Sequence, residues 1–256
     1  MEYLAQLYEQ LASQQGSLPF GQWFFVEFYK SFLLSNRWMQ YLQGLGRTLM
    51  VTVVALIIGI ILGALVAVLR AAHDQQRPGH KNLFLGIANV ICQVYTTVIR
   101  GTPMMVQLLI MGFVVLTSRK LGREVVGAIT LGINSGAYVA EIVRSGLMSV
   151  DAGQMEAGRS LGLGYGATMR LIVIPQAVKN ILPALGNEFI TLLKDTSLIS
   201  VIGGKEVVYA AQAVYAKTYA PMFPLVGTAL MYLVIVMLFT WVLGKLERRL
   251  RQSDRR

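Results

Sequence analysis

Glu156-Ala157-Gly158, then Gly162, then Ile172-Val173-Ile174-Pro175: this stretch decides the fold. It reads E-A-G-x3-G-x9-I-x-I-P. It is polar at its front, rich in glycine, and set between two hydrophobic segments. Such a stretch has the make-up of a loop that protrudes from a membrane and is gripped by another molecule. Asp151 precedes it with Gln154 three residues on, the spacing of a capping-box variant. Gly162 is suited to ending a short helix in a left-handed conformation. Gly164 and Gly166 keep the next residues pliable, and Pro175 bars a helix from running through it. The expected product is a short knob on a hinged base.

Within the knob, the Glu156 carboxylate is available to a basic groove on a partner, and Arg159 to an acidic one. Ala157 and Gly158 permit close backbone approach. Gly158 is expected to loosen the knob by under about 1 kcal/mol relative to alanine. A connection of about forty residues, 144–182, is too long for a passive link.

The rest of the chain is built for lipid. Of 256 residues 55% are hydrophobic and only 14% charged, with a mean hydropathy of +0.56. Soluble domains carry about 25% charged residues. The net charge of +10 does not indicate nucleic acid, because the positives sit at the ends of apolar segments, as membrane anchors do. The single cysteine, Cys92, excludes an internal disulfide and a cysteine metal cluster, and suits a small buried apolar position. The start, Met1-Glu2-Tyr3-Leu4, lacks the basic-then-apolar pattern of a cleavable signal peptide.

Five apolar spans are expected. Residues 1–46 mix aromatics (Phe20, Trp23, Phe24, Phe25, Phe28, Tyr29) with Glu27, Lys30 and Arg37, which suits an interfacial helix; a soluble partner-binding arm is the alternative. Thr48–Leu69 is 22 residues without a charge, enough at about 1.5 Å per residue to cross about 30 Å of hydrocarbon. Within it Gly59-x3-Gly63 reads either as a close helix–helix contact or as ordinary membrane glycine. Leu83–Ile99 reads as an amphipathic or gate-side helix and 101–118 as the second span, the rival being two separate spans. Val125–Val143 is the third, Pro183–Ile202 the fourth and Met222–Leu243 the fifth. With the knob and the C-terminus inside, fourteen Lys/Arg fall inside and eight outside, favouring N-terminus out and C-terminus in.

Ionisable groups inside a membrane are functional candidates. Asn187, Glu188, Thr191, Lys194 and Asp195 fall within one arc of a helix at about 100° per residue. Asn134, Tyr138 and Glu141 share a face of the third span with Thr130 and Ser145, and Gln107 aligns with Arg100. Faces bearing both acids and bases can line a wet path for a zwitterion: Lys194 for a carboxylate, Glu141, Glu188 or Asp195 for an ammonium. Alternatively these charges pair across helices and only fix the packing. An ATP-binding loop needs G-x4-G-K-[ST]. The nearest stretch, Gly203-Gly204-Lys205-Glu206, has glutamate for the hydroxyl residue.

The knob pattern closely resembles the E-A-A-x3-G-x9-I-x-L-P signature of ABC importer permeases, with Gly158 for the usual alanine and Ile174 for leucine. Arg100-Gly101-Thr102-Pro103 with Gln107, Ala137–Ile142 with Arg144, Asn187-Glu188, Leu193–Leu198 and Leu246–Leu250 resemble blocks of the polar amino acid branch of type I importers, covering about 45–250. The resemblance implies an all-α membrane protein of about five transmembrane helices with a cytoplasmic coupling helix in the bacterial plasma (inner) membrane. It divides into an N-terminal segment 1–46, a permease domain 47–250 and a basic cytoplasmic tail 251–256. It implies coupling through Glu156, Ala157, Gly158, Arg159, Gly162 and Pro175. The substrate path would use Arg100, Gln107, Asn134, Tyr138, Glu141, Asn187, Glu188, Thr191, Lys194 and Asp195. It implies ATPase subunits that hold ATP and magnesium, an extracytoplasmic solute-binding protein, a second permease copy or paralogue, and a polar amino acid or cystine-like substrate. No catalytic residue, metal or cofactor is expected in this chain. An ion-coupled secondary transporter is the alternative, though such folds usually need internal repeats and more spans. A scaffold that only binds through the loop would not explain three polar faces.

Overall fold

The structure is a computed structural model. It describes residues 2–13, 18–74, 76, 82–118 and 120–253. The connector Arg77-Pro78-Gly79 with Lys81, Arg119 of the charge count, and 254–256 of the tail lie outside the described residues. The described residues are helical with short turns. In order the helices are α1 (Glu2–Ala12), α2 (Phe20–Phe28), α3 (Arg37–Asp74), α4 (Leu83–Gly101), α5 (Met104–Ile110), α6 (Arg123–Met148), α7 (Ala152–Ser160), α8 (Tyr165–Thr168), α9 (Ile174–Asp195), α10 (Val207–Thr218) and α11 (Met222–Ser253).

Two long helices make the centre. Along α3 the buried residues are Tyr41, Gly44, Thr48, Val51, Thr52, Ala55, Gly59, Gly63, Val66 and Ala67, a stripe at helical spacing. Tyr41 and Gly44 pack against α10, and the stripe through Ala55, Gly59 and Gly63 faces α6, the most extensive helix pair among the described residues. Side chains of bulk cannot fit between the two. A Cβ on Gly59 would stand 2.7 Å from Ser135 Oγ, and one on Gly63 would stand 2.6 Å from Val139 Cβ. The relation is reciprocal. A Cβ on Gly132 would meet Ile58 Cβ at 2.6 Å, and one on Gly136 would meet Leu62 Cβ at 2.9 Å. Two small-x3-small patterns therefore face each other, which is how membrane helices gain contact when lipid is as apolar as leucine.

Around this pair the core closes with Leu108 of α5, Leu192 of α9, and Ile199 and Ile202. The last two lie in a 3₁₀ segment, Thr196–Ile202, that follows α9. The far sides of α3, α4 and α11 present Ile57, Ile61, Ile91, Val94, Val234 and Met237 outward, the pattern of helices that face lipid.

The spans differ in detail from those expected. Among the described residues, four stretches are long and apolar enough to cross a membrane: Phe20–Asp74, Leu83–Gly101, Arg123–Met148 and Met222–Leu250. The expected second span, 101–118, is only the short apolar helix Met104–Val115, at about 1.5 Å per residue too short to cross alone. The 19 residues of α4 are long enough instead. The expected fourth span, Pro183–Ile202, is not among these four, and its residues divide between α9, which ends at Asp195, and the 3₁₀ segment Thr196–Ile202. α9 starts at Ile174 and carries Pro183 in its interior. The boundary drawn at 46/47 falls inside α3, so the N-terminal segment continues directly into the first long helix. Likewise α11 runs to Ser253, across the start of the expected tail.

The N-terminal aromatics do not all face outward. Phe24 and Trp23 sit edge-on to Phe223 at the start of α11, at 5.0 and 5.7 Å between centroids. Phe32 lies against the buried Tyr41. A break at Ser35 and Asn36, both at positive φ, turns the chain into α3, and Arg37 donates across it to the Lys30 carbonyl.

Overpacking the α3–α6 seam tests its role. Gly63→Val and Gly136→Leu are each expected to destabilise by about 1–3 kcal/mol or more, read as a lower thermal unfolding midpoint in detergent. Gly46→Ala, where a Cβ meets nothing within 4 Å, is expected to be neutral or slightly stabilising.

Candidate functional site

The signature stretch folds as a helical knob. Asp151 caps α7, its Oδ1 accepting from Gly153 N at 2.6 Å. Gln154 does not return to the cap; its Oε1 instead accepts from Gln176 Nε2 at 3.2 Å, tying α7 to the first turn of α9. Gly162 takes the left-handed turn at φ +84 after α7. Only 149–151 and 161–164 are non-helical in the expected forty-residue loop.

Pro175 does not break the chain. It lies at the start of α9, and the chain is helical from Tyr165 to Asp195 through a π-helical turn at Met169–Val173. The wider turn shifts the hydrogen-bond frame, so the missing proline N–H and the ring are accommodated where a regular helix would clash. The base of the knob is therefore a helix and not a hinge.

Gly158 also departs from expectation. It is buried, and a Cβ there would stand 2.5 Å from Thr168 Cγ2 and 3.1 Å from Ile172 Cδ1. Thr168 is fully buried. The glycine thus lets α7 lie directly on α8 and the π turn, tightening the knob instead of loosening it. Glu156, Ala157 and Arg159 are exposed on its outer side. Beside them Leu161 is 81% exposed and Tyr165 and Leu171 are exposed, an apolar fringe that charge-based reading of the stretch did not mark.

A second feature lies between α4, α6 and α9. Arg100, Tyr138, Glu141 and Glu188 line one cavity of about 410 Å³ together with Ser145 and Asn180. The Arg100 guanidinium stands 5.3 Å over the Tyr138 ring and 4.0 Å from Glu141 Oε2. Ser135 Oγ donates to Glu188 Oε1 at 2.7 Å. One cationic and two acidic side chains thus share a concave site. Ser135 and Asn180 carry no sequence signal that separates them from other small polar residues.

Gln107 and Asn134 do something else. Gln107 Nε2 donates to Ile99 O at 2.8 Å and to Thr102 Oγ1 at 2.8 Å, closing the backbone break between α4 and α5. Its Oε1 accepts from Asn134 Nδ2 at 3.0 Å. A broken helix in a membrane needs such internal partners.

The five polar residues of α9 do not converge. α9 runs between α6 and α11, so the two edges of their arc meet different neighbours. Glu188 turns to Ser135 on α6. Lys194 lines a separate cavity of about 320 Å³ with Tyr232 and Leu225 of α11. Asn187 and Thr191 are exposed, and Asp195 is half-buried.

The glycine-lysine stretch that imitates a phosphate loop has a structural use. Gly203 ends the 3₁₀ segment at φ +87. Glu206, 1% exposed, caps α10 by accepting from Val208 N at 2.7 Å and Tyr209 N at 2.8 Å, and takes a third bond from Tyr232 Oη at 3.1 Å. Burial pushes its carboxyl up to about 7, and these bonds pull the other way.

Among the described residues, α7 is thus a short helix seated on a buried glycine contact, with Glu156, Arg159 and Leu161 exposed on its outer side. Residues 82–252 match the family of the binding-protein-dependent transport system inner membrane component, and the chain belongs to that family of ABC transporter permease subunits. It is 39% identical over 215 residues to the arginine transport system permease protein ArtQ of Bacillus subtilis (strain 168), covering 83% of this chain and 93% of that one. It is 34% identical over 214 residues to the glutamine transport system permease protein GlnP of Escherichia coli (strain K12), covering 82% and 92%. The crystal structure of an amino acid ABC transporter with histidines matches at TM-score 0.73 and 38% identity, over 82% of this chain and 94% of that one. The inward-facing MetNI methionine ABC transporter, at 18% identity and TM-score 0.69, shares the fold.

Two variants test the local geometry. Gly158→Ala is expected to cost about 1–3 kcal/mol through its collision with Thr168, measured as faster protease cleavage near 161–164 with the membrane helices intact. Glu206→Ala strands two N–H groups and a hydroxyl, each worth about 1–3 kcal/mol when buried and unpaired, and is expected to lower the unfolding midpoint clearly more than Glu206→Gln, which keeps an acceptor.

Proposed function

We propose that this chain is the membrane-spanning subunit of an ATP-driven importer for polar amino acids. The knob α7 would be its contact with a separate ATP-hydrolysing subunit, which holds ATP and magnesium. The observation that carries this reading is α7 itself. It is seated on a buried glycine contact, so it moves as one body with α9, and it offers Glu156, Arg159 and Leu161 to a partner. A push on such a knob passes directly into α9, whose side chains reach both cavities. The transition between inward- and outward-open states is then a choice between two packings of the same helices.

The amino acid class rests on the cavity between α4, α6 and α9 and on the names of the relatives. An α-amino acid carries one positive and one negative group. Arg100 can meet the carboxylate, and Glu141 or Glu188 the ammonium. Lys194 faces its own cavity and belongs to a different step or to a structural pairing with α11. A solute-binding protein outside, a second permease copy or paralogue, the bacterial inner membrane as location, and an N-terminus outside with a C-terminus inside complete the proposal.

The test is reconstitution of this chain with its ATPase and binding protein in liposomes, with uptake and ATP hydrolysis measured across a panel of amino acids. Stimulation of both by one or a few polar amino acids is expected. Robust uptake without ATP, driven by a proton or sodium gradient, would replace the proposal with a secondary transporter. In the same system Glu156→Lys is expected to leave the protein in the membrane but to lower uptake per ATP hydrolysed by about tenfold or more, the loss of one buried charge contact at an interface. Unchanged uptake would remove Glu156 from the contact.

A further inference from the structure

A third cavity, of about 360 Å³, opens where the C-terminal ends of α3 and α6 meet the π turn below α7. Its polar lining is Arg70 and Asp74 from α3 and Arg144 from α6; Ala67, Met148 and Met169 are among the apolar walls. The cavity is separate from the one that holds Arg100 and Glu141.

Its chemistry is unbalanced. Arg70 Nε is buried and has no hydrogen-bond partner among the described residues. The lone carboxylate is already engaged, since Asp74 Oδ1 lies 3.2 Å from Nδ1 of His73. A buried donor without an acceptor is costly. The missing partner is therefore an anion with several acceptor oxygens. Guanidinium groups match phosphate by paired N–H donors, and two arginines from two helices can grip one phosphate from both sides.

The surroundings narrow the source. Leu65 and Val68, up to about a turn and a half before Arg70, are 55% and 65% exposed on the lipid-facing side of α3. The cavity walls are mostly apolar side chains, and it lies at the ends of two long membrane helices. Basic pockets between transmembrane helices near the surface suit anionic lipid headgroups. We infer that this cavity binds a phosphate-bearing anion through Arg70 and Arg144, with an anionic phospholipid headgroup as the occupant that its apolar walls favour. Because Met169 and Val173 of the π turn form part of the wall, the bound headgroup would brace the base of α7.

The experiment uses the full-length chain purified in detergent with the subunits that accompany it. It is incubated with equimolar phosphatidylglycerol and phosphatidylcholine, and retained lipid is counted by native mass spectrometry. Wild type is expected to retain phosphatidylglycerol selectively. Arg70→Gln with Arg144→Gln should weaken that retention on the order of thirtyfold, the size expected for two arginines at an anionic surface. The double lysine variant should lie between them, and Arg47→Gln, at the opposite end of α3, should match wild type. Displacement of the lipid by millimolar inorganic phosphate would keep the phosphate site but make free anion a competent occupant. Equal phosphatidylglycerol retention by wild type and the folded double glutamine variant, with no phosphate adduct that distinguishes them, would overturn the inference.

Discussion

Everything in this molecule hangs on the approach of α3 to α6 through facing glycines. A membrane helix pair gains nothing from expelling lipid, so its cohesion comes from contact at close range. Gly59 and Gly63 on one side and Gly132 and Gly136 on the other remove the side chains that would hold the axes apart. Once α6 is fixed against α3, its other faces set the positions of α4, α5 and α9. Tyr95 of α4 donates to the Ile133 carbonyl, Asn134 meets Gln107 of α5, and Ser135 meets Glu188 of α9. Three consecutive residues beside the glycine seam thus orient three neighbouring helices.

The same logic is repeated at the knob. Gly158 lets α7 rest on Thr168, as Gly59 and Gly63 let α3 rest on α6. Beyond the turn at 161–164 the chain is helical without interruption from Tyr165 to Asp195, and the π turn takes up the irregularity that Pro175 imposes. In the proposed mechanism, displacement of α7 by a partner would move α9 through the Gly158 contact with Thr168 and Ile172 and the Gln154–Gln176 bond. Because α9 touches α6 on one side and α11 on the other, a rigid shift changes the Arg100–Glu188 cavity and the Lys194 cavity together.

How far the sequence alone was legible follows from what each signal encodes. Hydropathy found α3, α6 and α11, because uninterrupted apolar length is sufficient for a long helix. The break at Arg100–Pro103 was legible, but the span was assigned to 101–118 and not to Leu83–Gly101, because two apolar pieces of similar length do not say where each helix ends. Spacing marked Gly59 and Gly63, but their partners Gly132 and Gly136 stayed hidden, since glycine carries no periodic apolar signal and a contact needs two surfaces. The helical arc on α9 was correct as an angle. It could not say that the arc's two edges look at different helices, which separates Lys194 from Glu188. The rule that proline stops a helix assumes regular hydrogen bonding, and the π turn before Pro175 is outside that assumption. Asp151 and Gly162, whose roles are set by a few neighbouring residues, were read correctly.

The central claim is that α7 is the point at which an ATP-hydrolysing partner grips this permease. A photoreactive residue placed at position 156, in the complex assembled in membranes, tests it directly. The account predicts an adduct between this chain and the ATPase subunit, and none from a probe at Ser118, near the other end of α6. A complex that retains its ATPase yet gives no adduct from 156, while another exposed segment does, would contradict it.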